Sequence, residues 1–422
     1  MDDSLISRII FPLLSMFLLV DAINGFFLLS VGIDFKISVL YKGLLLSLLI
    51  VYLLIYKPSN VLLIFGFCLL LILGETVTVL MLQSSAKMTG FLMQHVVKIV
   101  SPLLLLCFLL HRELSDQRFF HRINIVFRAN CLIFLGNILA GIFGYGYSTY
   151  GGSVDSGTIG VKGFFYAGNE ISAILVVFAG LYLGKSYAKS KLLFLLAAIF
   201  WALVGFAIST KTAILAVMIL VMATPLLYEG KRIWRLNNPP SLIFLAALVF
   251  ALFQSYSLYL IFKETALYGR MDFFFRNHGI IGVILSGRDL YLESMWQNFV
   301  RSVSIFNMLF GYGISYYADQ MVYSAELDFA DMFFWHGIIG VLISITIFAA
   351  LSIYALMHCA KKHYPFAKTV LMTNLMLLFI ANLSGHIFTS GMLAFLWPCF
   401  AMMAKYSWLD EPSTNKATRR IR

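Results

Sequence analysis

Apolar runs of about 20 residues recur along the chain between short polar breaks, and that is the length an α-helix needs to cross a bilayer. The runs do not alternate residue by residue as barrel strands do. In hydrocarbon only helices or closed barrels satisfy their own backbone groups. The pattern therefore predicts an all-α, polytopic integral membrane protein with about twelve transmembrane helices. The predicted spans lie near Arg8–Ser30, Val39–Tyr56, Asn60–Leu82, Phe91–Leu110, Ile123–Gly144, Gly163–Gly184, Lys191–Ile208, Thr212–Leu227, Ser241–Ile261, Met332–Leu356, Ala367–Leu383 and Phe388–Ala404. Between the ninth and tenth lies a long polar interruption, residues 263–336, read as a loop inserted into a single membrane domain of residues 1–422. The first run shows no small-residue cleavage site and reads as a retained helix rather than a leader.

Composition excludes a soluble domain. Hydrophobic residues make up 61% of the chain and charged ones 12%, with a mean hydropathy of +0.89, whereas soluble domains carry roughly 25% charged residues. The formal net charge of +11 follows the positive-inside rule for short loops. Arg112, Arg118, Arg122, Lys185, Lys189, Lys191, Lys231, Arg232, Arg235, Lys361 and Lys362 fall in breaks of one sidedness, together with the tail Lys416–Arg422. The opposite short breaks hold only Lys36, Lys87, Lys162 and Lys211. Both termini are thereby expected in the cytoplasm and residues 263–336 outside. The basic excess reads as a topology signal, with the bilayer as the partner and no nucleic acid implied. Cys68, Cys107, Cys131, Cys359 and Cys399 sit in or beside apolar runs without metal or disulfide spacing, and read as small buried hydrophobes. No phosphate loop, zinc spacing or nucleophile elbow is present.

The chemistry must therefore come from polar residues at the outer ends of the spans and in the long loop, since loops carry function on a rigid scaffold. Asn169 and Glu170 follow Gly163–Gly168 at the outer end of the sixth span. Lys211 lies in a turn, Ser209–Thr212, too short to be a solvated loop. Asp21 and Glu75 lie within spans and His386 in the last outer turn; such groups pair structurally or face a cavity. In the long loop, Arg270 and Arg276 are interleaved with aromatics, as in interfacial segments. Ser286 is the expected N-cap of a helix in which Arg288 and Asp289 occupy the first turn. There Arg288 either pairs with Asp289 or Glu293 or clamps a diphosphate. Phe310–Gly313 reads as a turn. Asp328 fits either a cap of the tenth span or a base, with Asp331 on the same face. Glu326 lies outside that helix, so capping does not explain it. Three carboxylates within Glu326–Asp331 are compatible with a divalent cation, but no other outer acid completes a shell, and no metal is expected. His336 fits a buried, hydrogen-bonded histidine as well as a catalytic one.

The order of these pieces resembles the O-antigen polymerase and O-antigen ligase superfamily of bacterial envelope proteins. The matching pieces are Gly168-Asn-Glu170, Ser209-Thr-Lys-Thr-Ala213, Ser286-Gly-Arg288, Gly311-Tyr-Gly313, and Glu326–Asp331 followed by Gly337-Ile-Ile-Gly340. In the ligases a histidine stands eleven residues before the first glycine of that last pair; here the position is Glu326. The departure looks like the polymerases of O-antigen and capsule. The resemblance implies an inner-membrane enzyme that is a metal-independent glycosyltransferase, without cofactor, whose substrate is an undecaprenyl-diphosphate-linked oligosaccharide. It also implies a chain-length-regulating partner protein. In that reading Arg288, Arg270, Arg276 and Lys211 hold the diphosphate, Glu326 is the first choice of base with Asp328 and His336 behind it, and Asn169 and Glu170 touch other parts of the substrate. A ligase acting on lipid A core, or a transporter of lipid-linked sugars, are the competing readings.

Overall fold

A computed structural model describes residues 3–82, 89–116, 118–150, 159–230, 263, 266–301, 303–319, 324–361 and 363–406. The ninth predicted span, Ser241–Ile261, and the basic clusters at 231–235 and 416–422 lie outside the described residues. Helices form where the apolar runs were read: α1 (Asp3–Val31), α2 (Ile37–Tyr56), α3 (Pro58–Leu82), α4 (Thr89–Ser115), α5 (Phe119–Ile142), α6 (Gly168–Lys189), α7 (Lys191–Ile208) and α8 (Lys211–Glu229). The long loop is itself helical, as α9 (Ala266–Leu285), α10 (Arg288–Val300), α11 (Ile305–Phe310) and α12 (Gly313–Asp319). It is followed by α13 (Asp328–His358), α14 (Ala367–Ala381) and α15 (Leu393–Met402). Among the described residues nine helices are long and apolar enough to cross a membrane, and the protein is an all-α multi-pass membrane protein.

Side-chain exposure sorts the helices. The interior of α6 is buried on every side, from Ile171 to Leu181, as expected of a helix that is apolar all round. It is packed by α7, α8, α14 and α15. Leu192, Leu196 and Leu203 of α7 and Leu62, Leu63 and Phe65 of α3 are exposed, which is a lipid-facing surface. At one end of the bundle short-loop cations find carboxylates: Arg112 and Arg122 pair with Asp116, and Lys191 with Glu229.

Three span boundaries differ from the sequence reading. The sixth helix starts at Gly168, not Gly163, because Ile159–Gly163 (β2) pairs antiparallel with Tyr147–Tyr150 (β1) in a hairpin. The Asn137 side chain pins that hairpin, donating to the Lys162 carbonyl and accepting from the Phe164 amide. Within the hairpin the Lys162 ammonium donates to the Tyr166 carbonyl at 2.7 Å, and partial burial lowers its pKa from the usual lysine value. The tenth predicted span starts earlier, at Asp328, and is broken inside at Gly337 (φ 61°, ψ −157°). The twelfth starts later, at Leu393, because residues 388–392 belong to a loop held by carboxylates.

The break in α13 has a partner. α11, the Gly311-Tyr-Gly313 turn and α12 pack against α3 and α13 rather than standing clear of the bundle. The Tyr312 amide donates to the Phe334 carbonyl at 3.0 Å. A β-carbon on Gly311 would lie 2.4 Å from the Trp335 carbonyl carbon, and one on Gly337 2.4 Å from the Leu309 carbonyl. The two backbones meet with no room for side chains. Glu75, buried in α3, closes the arrangement by accepting from the amides of Ile314 (2.6 Å) and Ser315 (3.0 Å). A carboxylate at a helix N-terminus is favoured by both the free amides and the helix dipole, so this intramembrane acid has a structural partner.

Candidate functional site

Hydrogen bonds tie the N-terminal end of α6 to Thr210, ahead of α8, and to residues 384–392, ahead of α15, and tie Asp328 at the start of α13 to that same loop. The start of α10 joins the turn ahead of α13 through an ion pair. Arg288, the first residue of α10, places a guanidinium nitrogen 2.7 Å from the Glu326 carboxylate, with the arginine side chain 13% exposed and the glutamate 40%. A second guanidinium nitrogen donates to the Leu285 carbonyl at 3.3 Å. The third, Nε, is buried with no hydrogen-bond partner among the described residues, as is one oxygen of Asp289. Arg288 thus pairs with neither Asp289 nor Glu293, the partners weighed in the sequence, but with a residue 38 positions away.

The turn that carries Arg288 is shaped by backbone rather than by a cap. Ser286 and Gly287 are both left-handed (φ 58° and 84°). The N-cap is Gly287 with no side-chain bond, so Ser286 is not the N-cap that the sequence suggested. Lys211 donates to the Val283 carbonyl in the last turn of α9. Lys211 and Arg288 therefore grip carbonyls in the same turn, at Val283 and Leu285, which brings two of the four predicted cations together. Arg276 does not join them: it is 76% exposed and pairs with Asp272 one turn away on α9, at 2.8 Å. Arg270 lies on α9, its side chain outside the described residues.

The carboxylates divide by task. Glu326 holds a left-handed backbone (φ 55°) just outside α13, and its amide donates to Ser324 Oγ at 2.9 Å. Asp331 is the acid that caps α13. It accepts from the amides of Ala325 (2.6 Å) and Leu327 (3.2 Å) and from the Ser324 hydroxyl (2.8 Å), bonds that fix the Glu326 turn. Asp328 does not cap its own helix. It is buried, and its two oxygens accept from the amides of His386 (2.6 Å), Ile387 (2.7 Å) and Phe388 (3.0 Å). From the other side Asn169 donates to the Ser384 carbonyl at 3.0 Å, and Glu170 accepts from the Ser390 hydroxyl (2.5 Å) and the Met392 amide (3.0 Å). Three predicted site residues thus hold the 384–392 loop. That loop in turn presses on Glu326: a β-carbon on Gly385 would lie 2.5 Å from the Glu326 carbonyl oxygen.

His336 is apart from this cluster's surface. It is 1% exposed, one residue before the break in α13, with its ring stacked on His95 of α4 at 5.8 Å between centroids. The loop 384–392 was read from the sequence only as the short turn of His386, with Phe388 onward taken into the twelfth span; its signal was the glycine- and hydroxyl-rich run Ser384-Gly-His-Ile-Phe-Thr-Ser-Gly391 between two apolar segments. Left-handed non-glycine residues Ser209, Ser286, Glu326 and His386 all fall at this end of the bundle. Backbone strain of this kind persists where surrounding structure over-determines it, and it collects at functional sites. Among the described residues no group of three or more His, Cys, Asp or Glu side chains is arranged to hold a metal ion.

A helical membrane bundle carrying a paired arginine and glutamate at one end, on strained turns, defines a multi-pass membrane protein with a polar site at the mouth of its bundle. The family described as O-antigen ligase like membrane protein matches residues 5–231 and 275–403, and the chain belongs to it; the type of activity is membrane glycan processing by glycosyl transfer. No curated protein is similar enough to the chain to stand as a relative.

Proposed function

We propose that the protein is a polysaccharide repeat-unit polymerase. It transfers a growing glycan from undecaprenyl diphosphate to a sugar hydroxyl of a lipid-linked repeat unit, at the outer face of the bacterial inner membrane, with both termini in the cytoplasm. The observation that carries the reading is the Arg288–Glu326 pair at 2.7 Å, with Lys211 bound in the same turn.

The chemistry follows from the pair. The acceptor hydroxyl attacks the anomeric carbon, a new glycosidic C–O bond forms, and the bond from that carbon to the diphosphate oxygen breaks. The hydroxyl proton passes to the Glu326 carboxylate, and the electron pair leaves on undecaprenyl diphosphate. A diphosphate with two or three charges outcompetes one carboxylate for a guanidinium fork. Its arrival on Arg288, with Lys211 beside it, frees Glu326 to act as base only when donor is bound. Fixed cations aimed at the leaving group stabilise the charge that develops there as the bond breaks. Removing a comparable fixed donor costs on the order of 100–1,000-fold in rate, and a positioned base contributes on the order of 100–10,000-fold. Asp328, Asn169 and Glu170 keep the 384–392 loop against Glu326. The aromatics exposed on α9, Phe273 and Phe275, suit a helix lying in the headgroup region over lipid-linked substrate.

The test is a gel of surface glycolipid from a host lacking this gene, complemented with wild type, Arg288→Ala or Glu326→Gln. Wild type restores the ladder; each variant, at normal membrane abundance, leaves core plus a single repeat unit. Full-length polymer from both variants overturns the roles given to Arg288 and Glu326, and a ladder unchanged by loss of the gene overturns the polymerase reading. Bare core with long polymer accumulating on carrier lipid makes the protein a ligase instead.

A further inference from the structure

A cavity of about 480 Å³ opens between α1, α2, α4 and the N-terminal ends of α6 and α15. It meets the 384–392 loop at Gly391 and Met392, while Gly385 of the same loop meets Glu326. Its walls carry three lysines, Lys36, Lys42 and Lys98, and three carboxylates, Asp21, Asp34 and Glu170. The carboxylates are already used. Asp21 accepts from Lys42 (2.8 Å) and from the Ser38 hydroxyl. Asp34 accepts from Lys36 and Asn24, and the Lys36 hydrogen bond holds its pKa below the usual aspartate value. Glu170 is taken by Ser390 and the first amide before α15. Lys98, half-buried, is paired with no carboxylate among the described residues.

Lys98 and Lys42 stand together. The Lys42 ammonium and the Lys98 Cε each lie 3.5 Å from where a β-carbon on Gly391 would sit, so the two side chains converge on residue 391. The N-termini of α2, α6 and α15 all end on the cavity wall, and aligned helix dipoles add positive potential there. The rim is apolar: Val39 and Val97 line it and are 48% and 44% exposed, on faces that meet lipid. Lys98, with no carboxylate partner among the described residues, and three helix N-termini under a lipid-facing mouth fit an amphiphile whose polar end is a phosphate.

We infer that this cavity is a second binding site for lipid-borne phosphate, held by Lys98 and Lys42 around Gly391. It rests on the polymerase reading for its role: that reaction needs two lipid diphosphates at once, and Arg288 serves one of them while the cavity holds the other. The donor and acceptor headgroups then lie at the two ends of the 384–392 loop, and the Asp328 and Glu170 anchors set their separation.

The experiment counts bound lipid on the full-length protein by native mass spectrometry in detergent, with undecaprenyl diphosphate as probe. Wild type is expected to bind two molecules, Lys98→Gln one, Arg288→Ala one, and the double variant none. Lys98→Gln is expected to weaken the cavity site by about tenfold or more, the loss of one charge-assisted contact. Gly391→Val, which fills the space with both lysines intact, gives the same loss and guards against a folding defect in Lys98→Gln. Two molecules on Lys98→Gln and on Gly391→Val alike, or loss of both on Arg288→Ala alone, overturns the inference. Excess phosphatidylglycerol displacing only the Lys98-dependent molecule supports a lipid-phosphate site and overturns its assignment to substrate. Displacement by inorganic pyrophosphate alone overturns the need for a lipid. Because binding requires no turnover, a ladder unchanged by loss of the gene would sink the polymerase reading while leaving this count intact.

Discussion

Asp328 shows how a single carboxylate is spent on position rather than chemistry. Its oxygens satisfy three consecutive backbone amides, at 2.6, 2.7 and 3.0 Å, and the residue is only 2% exposed. Buried donors left unsatisfied cost about 1–3 kcal/mol each. Asp328→Ala is therefore expected to lower stability by about 3 kcal/mol or more, read as a drop in the Tm of the purified protein in detergent. Glu326→Gln is expected to change that Tm little, because Glu326 is 40% exposed and the exposed side of an ion pair contributes little to stability. A Tm loss in Glu326→Gln as large as that of Asp328→Ala would make Glu326 a structural acid and not a base. The residue types at these positions were legible in the sequence, but their partners were not. Arg288 and Glu326 are 38 residues apart, and Asp328 reaches across 58 to 60; nothing in local spacing encodes such a meeting.

At the scale of elements, α13 is the most informative. Its apolar run reads as one span, and it forms one, yet it is broken at Gly337 so that the Gly311 turn can nest against it. The pair of glycines was visible in the sequence as turn and Gly-x-x-Gly signals; their mutual contact was not, since each is a local motif that tertiary packing alone joins. Gly337→Ala is expected to be destabilising, because a left-handed backbone costs a non-glycine residue about 1–2 kcal/mol and the added carbon would meet the Leu309 carbonyl. Reduced membrane abundance with a lowered Tm is the expected result, and a wild-type Tm would mean the break is not enforced by α11. The β1–β2 hairpin was missed for a related reason. Its strands are four and five residues long and lie in the break between the fifth and sixth predicted spans, too short for an alternating pattern to stand out.

Across the whole molecule the polar site collects at one end of the bundle, while the cation–carboxylate pairs of Asp116 and Glu229 mark the other. The distribution of Lys and Arg in short loops predicts that the second end faces the cytoplasm. A cysteine placed at Arg276, which is 76% exposed, is accordingly expected to react with a membrane-impermeant maleimide added to intact spheroplasts. One at Arg118, also exposed, is expected to react only after permeabilisation. The reverse pattern would put the site in the cytoplasm and remove the lipid-diphosphate donor from its reach.

Hydropathy along the chain was enough to settle the class and to place the long apolar helices among the described residues. Long apolar runs leave the backbone no alternative in hydrocarbon, and this holds segment by segment without reference to neighbours. The chain also supplied the cast of polar residues, because charge near a membrane is costly enough to be conspicuous. Which of them met was left to packing in three dimensions. It put Arg288 on Glu326 and Lys211 in the same turn, turned Asp328, Asn169 and Glu170 to the 384–392 loop, left Arg276 on an outer face, and buried His336 against His95. Those outcomes depend on how helices far apart in sequence pack side by side, and the pairing of a charge is settled by the nearest partner in space, not the nearest in the chain.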